Sequence, residues 1–320
     1  MRIAVLADIH GNLPALNRVL CELERLQPDQ VVVNGDLING APFSCAVIDL
    51  VRAQDWAVVR GNHEFYYLDF GTERAAPGCA DPQRWGQLHW LVEQIRPDQG
   101  CYLGMLPDER TLFLPGAEPI SVAHGAPGQN RTGFYHETPN DQIAATLAGV
   151  TPHTVVSAHT HLQLDRLIQQ APGEVETATH RALPHAEARW HLINPGSVGM
   201  PLDGDPQAQF ALLETVSATE TPGGWRATFQ RVPYDRRPGL AAFADTGMAR
   251  AGGVMTLLFY WQLVTARPEV IYFFRWAYAN GLDLEAALAE VFRAYVAATG
   301  RDQYVHERDP LYQRSTTPRP

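Results

Sequence analysis

Five short apolar segments of this chain each end in side chains able to hold a metal ion, and this repetition constrains the fold more than any other feature. Ile3–Leu6 runs into Asp8 and His10, Val31–Val33 into Asn34-Gly35-Asp36, and Trp56–Val59 into Gly61-Asn62-His63-Glu64. Ile120–Ala123 runs into His124, and Thr154–Ser157 into His159 and His161. Buried runs rich in Val and Ile read as strands, and the Asn-Gly after Val33 stops one of them. A helix with Pro14 in its first turn and Leu13, Leu16, Leu20, Leu23 and Leu26 on one face separates the first two strands. That is a βαβ unit, so these strands are expected to lie parallel and adjacent. In such sheets, sites form at the carboxyl ends of the strands, where five loops can share one crevice.

Further helices are expected near 43–54, from Asp81-Pro82 to about Ile95 with Pro97 as the stop, and near 141–148. Residues 65–100 otherwise look irregular. Other strands are expected at 111–114, 162–168, 174–179, 189–193, 209–214 and 225–232, with Asn194-Pro195-Gly196-Ser197 as a tight turn. The composition then changes: residues 250–312 hold 12 of the chain's 30 Phe, Trp and Tyr. Helices at 257–265, 270–279 and 284–298 carry most of them, and 314–320 reads as a frayed tail. Two units follow, 1–240 and an aromatic-rich helical extension over 241–320, which is expected to serve as packed core, cap or contact between copies of the chain.

A net charge of −10 and a pI near 5.6 exclude a general nucleic-acid surface, which needs a basic face. An acidic protein can still bind phosphate where metal ions supply the positive charge. Cys21, Cys45, Cys79 and Cys101 form no CxxC pair and read as free thiols in a reducing cytoplasm. The first apolar run meets Asp8 too soon for a signal peptide. Val254–Ala266 is broken by Thr256 and Gln262 and falls short of the about 20 apolar residues that span a bilayer. A cytoplasmic protein without a membrane anchor is expected.

The candidate ligands are imidazoles, carboxylates and one amide, with no thiolate. Such a set suits manganese, iron, zinc, cobalt or nickel. In an extended segment, residues i and i+2 point to the same side, so Asp8 and His10, and likewise His159 and His161, are expected to reach a common ion. Seven side chains exceed what one open tetrahedral site can use. Two ions sharing a ligand accommodate them, about 3.5–4 Å apart as in sites that clamp a displacement at phosphorus.

The ordered set Asp8-x-His10, Gly35-Asp36, Gly61-Asn62-His63-Glu64, His124-Gly125 and His159-Thr160-His161 resembles the calcineurin-like metallophosphoesterase superfamily. Asn194-Pro195-Gly196-Ser197 resembles its small bacterial and archaeal phosphodiesterase branch. The match covers about residues 1–235, and Ala158 stands where the family usually has Gly. The resemblance implies an α/β fold: two packed mixed β-sheets flanked by helices, a four-layer sandwich, here with the helical C-terminal extension. It implies two divalent transition-metal ions, manganese first. Asp8, His10, Asp36 and His161 would hold one; Asp36, Asn62, His124 and His159 the other, with Asp36 as the bridge. His63 would act beside the leaving group as general acid, and Asn12 would support Asp36 or the phosphate. The implied activity is hydrolysis of a phosphate mono- or diester by in-line attack of water. The alternative is a non-catalytic scaffold, as in a retromer subunit of the same fold, and the full ligand set argues against it.

Overall fold

The computed structural model describes residues 1–169, 188–284 and 287–313. The expected strand at 174–179, the tail at 314–320 and positions 285–286 lie outside the described residues. The first half of the chain contains β1 (Arg2–Leu6), α1 (Leu13–Leu26), β2 (Gln30–Asn34), α2 (Ser44–Arg52), β3 (Ala57–Val59), α3 (Asn62–Leu68), α4 (Pro82–Gln94) and α5 (Pro97–Met105). Next come β4 (Glu109–Leu112), β5 (Ile120–Ala123), α6 (Asn140–Leu147), β6 (Thr154–Val156), β7 (Gln163–Gln169), β8 (Ala188–Pro195), β9 (Ala208–Thr215) and β10 (Trp225–Val232). Helices α7 (Arg237–Asp245), α8 (Met248–Ala251), α9 (Gly253–Thr265), α10 (Glu269–Ala279), α11 (Leu288–Thr299) and α12 (Arg301–His306) follow.

The strands form two five-stranded mixed sheets, ordered β10-β9-β1-β2-β3 and β4-β5-β6-β8-β7. β1, β2 and β3 run parallel in the first; β5, β6 and β8 run parallel in the second. The alternation of side chains along each strand makes the layers. Ile3 and Val5 face a core between the sheets, shared with Val32, Ile120, Val122 and Val156. Ala4 and Leu6 face the opposite way, into a core with α1, α2 and the C-terminal helices. Beyond the second sheet, Ile143 and Leu147 of α6 pack with Val155, Ile168 and Trp190. This is the expected α/β sandwich with a helical extension.

The 65–100 region is more helical than expected. Pro97 opens α5 instead of only closing the helix before it, because proline's missing N–H costs nothing in a first turn. Asn62 and His63 begin α3 rather than lying in a loop. α7 occupies residues for which no helix was expected.

The C-terminal helices share the core of the first unit. α8 lies so close to α4 that a Cβ on Gly86 would sit 2.6 Å from the Ala251 carbonyl oxygen. Phe273 stacks edge-on to Phe292 and Tyr295, with ring centroids 5.6 and 5.5 Å away. The fully buried Glu269 accepts from Arg301 (2.6 Å) and from the Thr265 hydroxyl (2.7 Å), so its charge is paired. Among the described residues no helix is long and apolar enough to cross a membrane. Phe273→Ala should cost about 3–5 kcal/mol. It should lower a single melting transition seen alike by far-ultraviolet circular dichroism and by tryptophan fluorescence. Two separated transitions would show that the extension folds apart from the sandwich.

Candidate metal centre

The loops after β1, β2, β3, β5 and β6 meet at one edge of the sandwich. Asn34 ties the two sheets together there. Asn34 Nδ2 donates to the Ala123 carbonyl (3.0 Å), and the Asn34 carbonyl accepts from His124 Nδ1 (2.8 Å). Asp8, His10, Asp36, Asn62, His124 and His161 are all buried, and His159 is half-buried beside them.

One ligand atom from each of Asp8, His10, Asp36 and His161 lies within 4.8 Å of the others. His10 Nε2 is 3.6 Å from Asp36 Oδ2 and 3.2 Å from His161 Nε2. On the other side of Asp36, His124 Nε2 is 3.3 Å from Asp36 Oδ2 and 3.0 Å from Asn62 Oδ1. His159 Nδ1 is 2.8 Å from the same amide oxygen. All seven candidate ligands are thus together, in two groups that meet at Asp36. His63 stands beside them, its backbone N–H on Asp36 Oδ1 (2.8 Å) and its Nε2 3.9 Å from Asp36 Oδ2.

The donor chemistry fits metal ions. Backbone carbonyls accept from Nδ1 of His10 (Asn39, 3.0 Å), His124 (Asn34, 2.8 Å) and His161 (Met200, 2.5 Å). A carbonyl can only accept, so Nδ1 carries a proton in each ring and Nε2 is the atom turned toward the site, as in metal-ligating histidines generally. The His10 and His161 lone pairs then face each other at 3.2 Å, a contact that a cation between them would satisfy. Both carboxylate oxygens of Asp8 are buried with no hydrogen-bond donor. Buried carboxylates in this state call for positive charge.

The electrostatics agree. Burial alone would raise the pKa of Asp36, but His124, His63 and His10 outweigh it and hold the carboxyl well below the usual range. Burial raises Asp8, only partly offset by His124. Burial would lower His124, yet Asp36 and Asp8 push it up to about 10. His159 falls to about 4 through burial and the neighbouring His124. Burial likewise lowers His10 and His161.

The backbone differs from the extended geometry expected for the Asp-x-His and His-x-His pairs. Asp8, His10, Asp36, His159 and His161 all adopt left-handed conformations, with φ between 49° and 68°. Each pair converges through two such turns instead of along one face of a strand. Asn12 also departs from expectation. Its Oδ1 caps α1 at Ala15, and its Nδ2 donates to the Gly199 carbonyl and the Tyr234 hydroxyl, so it is tied into the fold.

Glu64 carries a role that the sequence reading left unassigned. Its carboxylate accepts from the backbone N–H groups of Asp36 (2.9 Å), Leu37 (2.8 Å) and Gly61 (2.7 Å), binding the second and third loops together. Burial and the nearby Asp36 push its pKa to about 7 against those bonds. Gly61 permits the approach, since a Cβ there would collide with Asp36 Oδ1. The segment 194–200 works in the same way: Ser197 Oγ donates to the Asp8 carbonyl (2.8 Å), and the Met200 carbonyl orients His161. An acidic residue in a helix's first turn usually faces water, and only the fold reveals that Glu64 is enclosed.

The model of the calcineurin-like phosphoesterase family matches residues 1–163. The chain belongs to that family. A curated relative, an uncharacterized protein of Methanocaldococcus jannaschii, is 24% identical over 215 residues, 66% of this chain and 82% of its own. The crystal structure of a metallophosphoesterase from Sphaerobacter thermophilus is 26% identical, with a TM-score of 0.55, covering 77% of this chain and 95% of its own. A hypothetical protein from Pyrococcus horikoshii shares the fold at 21% identity, with a TM-score of 0.60, covering 81% of this chain and 97% of its own. Family and site together indicate a divalent metal-binding protein.

Because Asp36 belongs to both groups, Asp36→Asn should lower bound metal by elemental analysis, and full occupancy would remove it from the bridging position. Glu64→Gln puts an amide N–H₂ against backbone donors, at a cost of about 1–3 kcal/mol. Its melting temperature should fall even in chelator, where loss of metal cannot be the cause.

Proposed function

We propose that the protein is a dinuclear metal-dependent phosphoesterase that hydrolyses a phosphate mono- or diester. The observation that carries this reading is the buried cluster of Asp8, His10, Asp36 and His161, with a further histidine, His63, beside Asp36. Asp8, His10, Asp36 and His161 would hold one ion, and Asp36, Asn62, His124 and His159 the other. Divalent ions bound there supply positive charge to a phosphoryl group and acidify water for attack on phosphorus. Membership of the family and the likeness to the Sphaerobacter metallophosphoesterase support the reading. A reducing cytoplasm suits the four cysteines, all of them free thiols.

His63 is the proposed general acid. Burial, reinforced by His10 and His124 against the pull of Asp36, holds its pKa down to about 3, so the ring is neutral near pH 7. Its Nδ1 is buried without a hydrogen-bond partner. An anionic phosphate ester beside the ring would favour protonation, and the departing oxygen would then take that proton. Tyr66 and Phe259 hold the ring edge-on, at centroid distances of 5.5 and 6.2 Å.

Metal-stripped protein reconstituted with manganese, iron, zinc, nickel or cobalt should turn over at least one phosphate ester, manganese being expected first. Inactivity with every ion across a mono- and diester panel would end the hydrolase reading. His63→Ala should keep its metal and lose about 10²–10⁴-fold in rate on esters with poor leaving groups. An equal loss on nitrophenyl and alkyl esters would remove the acid role.

A further inference from the structure

Beside His63 lies a cavity of about 200 Å³. Its apolar wall comes from Tyr66 of α3, Trp85 and Leu88 of α4, Met255 and Phe259 of α9, and Val270 of α10, and Asn39, Asn62, Arg84 and Gln87 add a polar edge. The volume is below the about 300 Å³ at which pockets begin to enclose a drug-sized ligand, so it suits a single compact ring system. The Tyr66 and Trp85 rings meet at a tilt of 57° with centroids 5.4 Å apart, and Phe259 meets His63 from another helix. Met255 and Phe259 are four residues apart on α9 and so share one helix face. Both are half-buried.

Two local features set this wall apart from ordinary core. α4 leaves helical geometry at Trp85 (φ −116°, ψ 22°). The Trp85 Nε1 and Gln87 Oε1 atoms are buried without hydrogen-bond partners, although buried polar groups are nearly always paired. A donor and an acceptor thus lie in a largely aromatic and aliphatic surround next to the residue proposed to protonate the leaving group. α9 and α10 fall outside the 1–163 segment that the family model matches.

We infer that this cavity receives the leaving group, and that the C-terminal extension makes the protein selective for phosphate esters of a compact aromatic alcohol. This rests on the phosphoesterase reading and on His63 facing the leaving oxygen. Aromatic rings around a flat ligand give both apolar burial and edge-to-face contacts, which a small polar alcohol cannot use.

The test uses the full chain loaded with the most effective metal, the variants Met255→Trp and Phe259→Ala, and two esters, 1-naphthyl phosphate and glycerol phosphate. For Met255→Trp, comparison with wild type on each ester cancels the difference in intrinsic leaving ability, whereas Phe259, which also packs on His63, is read by binding alone. Met255→Trp fills the cavity, and its loss in kcat/KM on naphthyl phosphate should exceed that on glycerol phosphate by about tenfold or more. Binding of 1-naphthol, followed by saturation-transfer NMR, gives a readout independent of turnover. It should be present in wild type, lost in Met255→Trp and weakened in Phe259→Ala, with both variants melting cooperatively. Equal losses of Met255→Trp on the two esters, or naphthol binding that ignores both substitutions, would overturn the assignment. Naphthol binding sensitive to Met255 in a protein that hydrolyses no ester would uphold the aromatic pocket and instead overturn the phosphoesterase reading.

Discussion

The site depends on a polar joint at the edge of two sheets whose shared core is apolar. Burial of Ile3, Val5, Val122 and Val156 is non-directional and would tolerate sliding of one sheet over the other. Asn34 does not tolerate it. The Asn34 side chain donates to the Ala123 carbonyl and the Asn34 carbonyl accepts from the His124 ring, which fixes the end of β2 against the end of β5. Asp36 is two residues beyond Asn34, and His124 directly follows Ala123. The same two bonds that join the layers therefore set the separation of a carboxylate and an imidazole 3.3 Å apart.

Around that joint, the loops are positioned by groups that touch no candidate ligand atom. Glu64 gathers three backbone N–H groups from two loops, Ser197 anchors the Asp8 carbonyl, and carbonyls of Asn39, Asn34 and Met200 turn three imidazoles. Preorganisation of this kind places side chains before any ligand arrives. It also explains why buried Asp8 can remain without a hydrogen bond: its environment is built for another kind of partner.

Much of this was legible in the chain. Apolar runs ending in Asp, Asn or His placed the strands and identified the seven side chains that the fold brings together, because period-two burial and strand-end loops follow from local pattern. The less legible parts were those set by tertiary contact. Pro97 was read as a stop although proline both ends and begins helices. Nothing in the sequence assigns Glu64 a role, and Asn12 looks like a group aimed at the site. The spacing of His159 and His161 was understood through an extended backbone, whereas the chain turns left-handed at both. No periodicity of apolar residues distinguishes those geometries. The aromatic extension was recognisable as helical, but its place against α4 and His63 required the fold.

Five candidate ligands with positive φ carry a consequence for anyone wishing to transplant this constellation. Aspartate, asparagine and histidine are the side chains most tolerant of that conformation after glycine, and Asp and His are also good ligands. Residue choice at these positions thus answers two demands at once. Copying Asp and His to the edge of a regular sheet would reproduce the composition but not the convergence. A host scaffold would have to bear the backbone strain as well, of order 1 kcal/mol or more at each turn. The unit that must be grafted is the bent main chain, with its side chains attached.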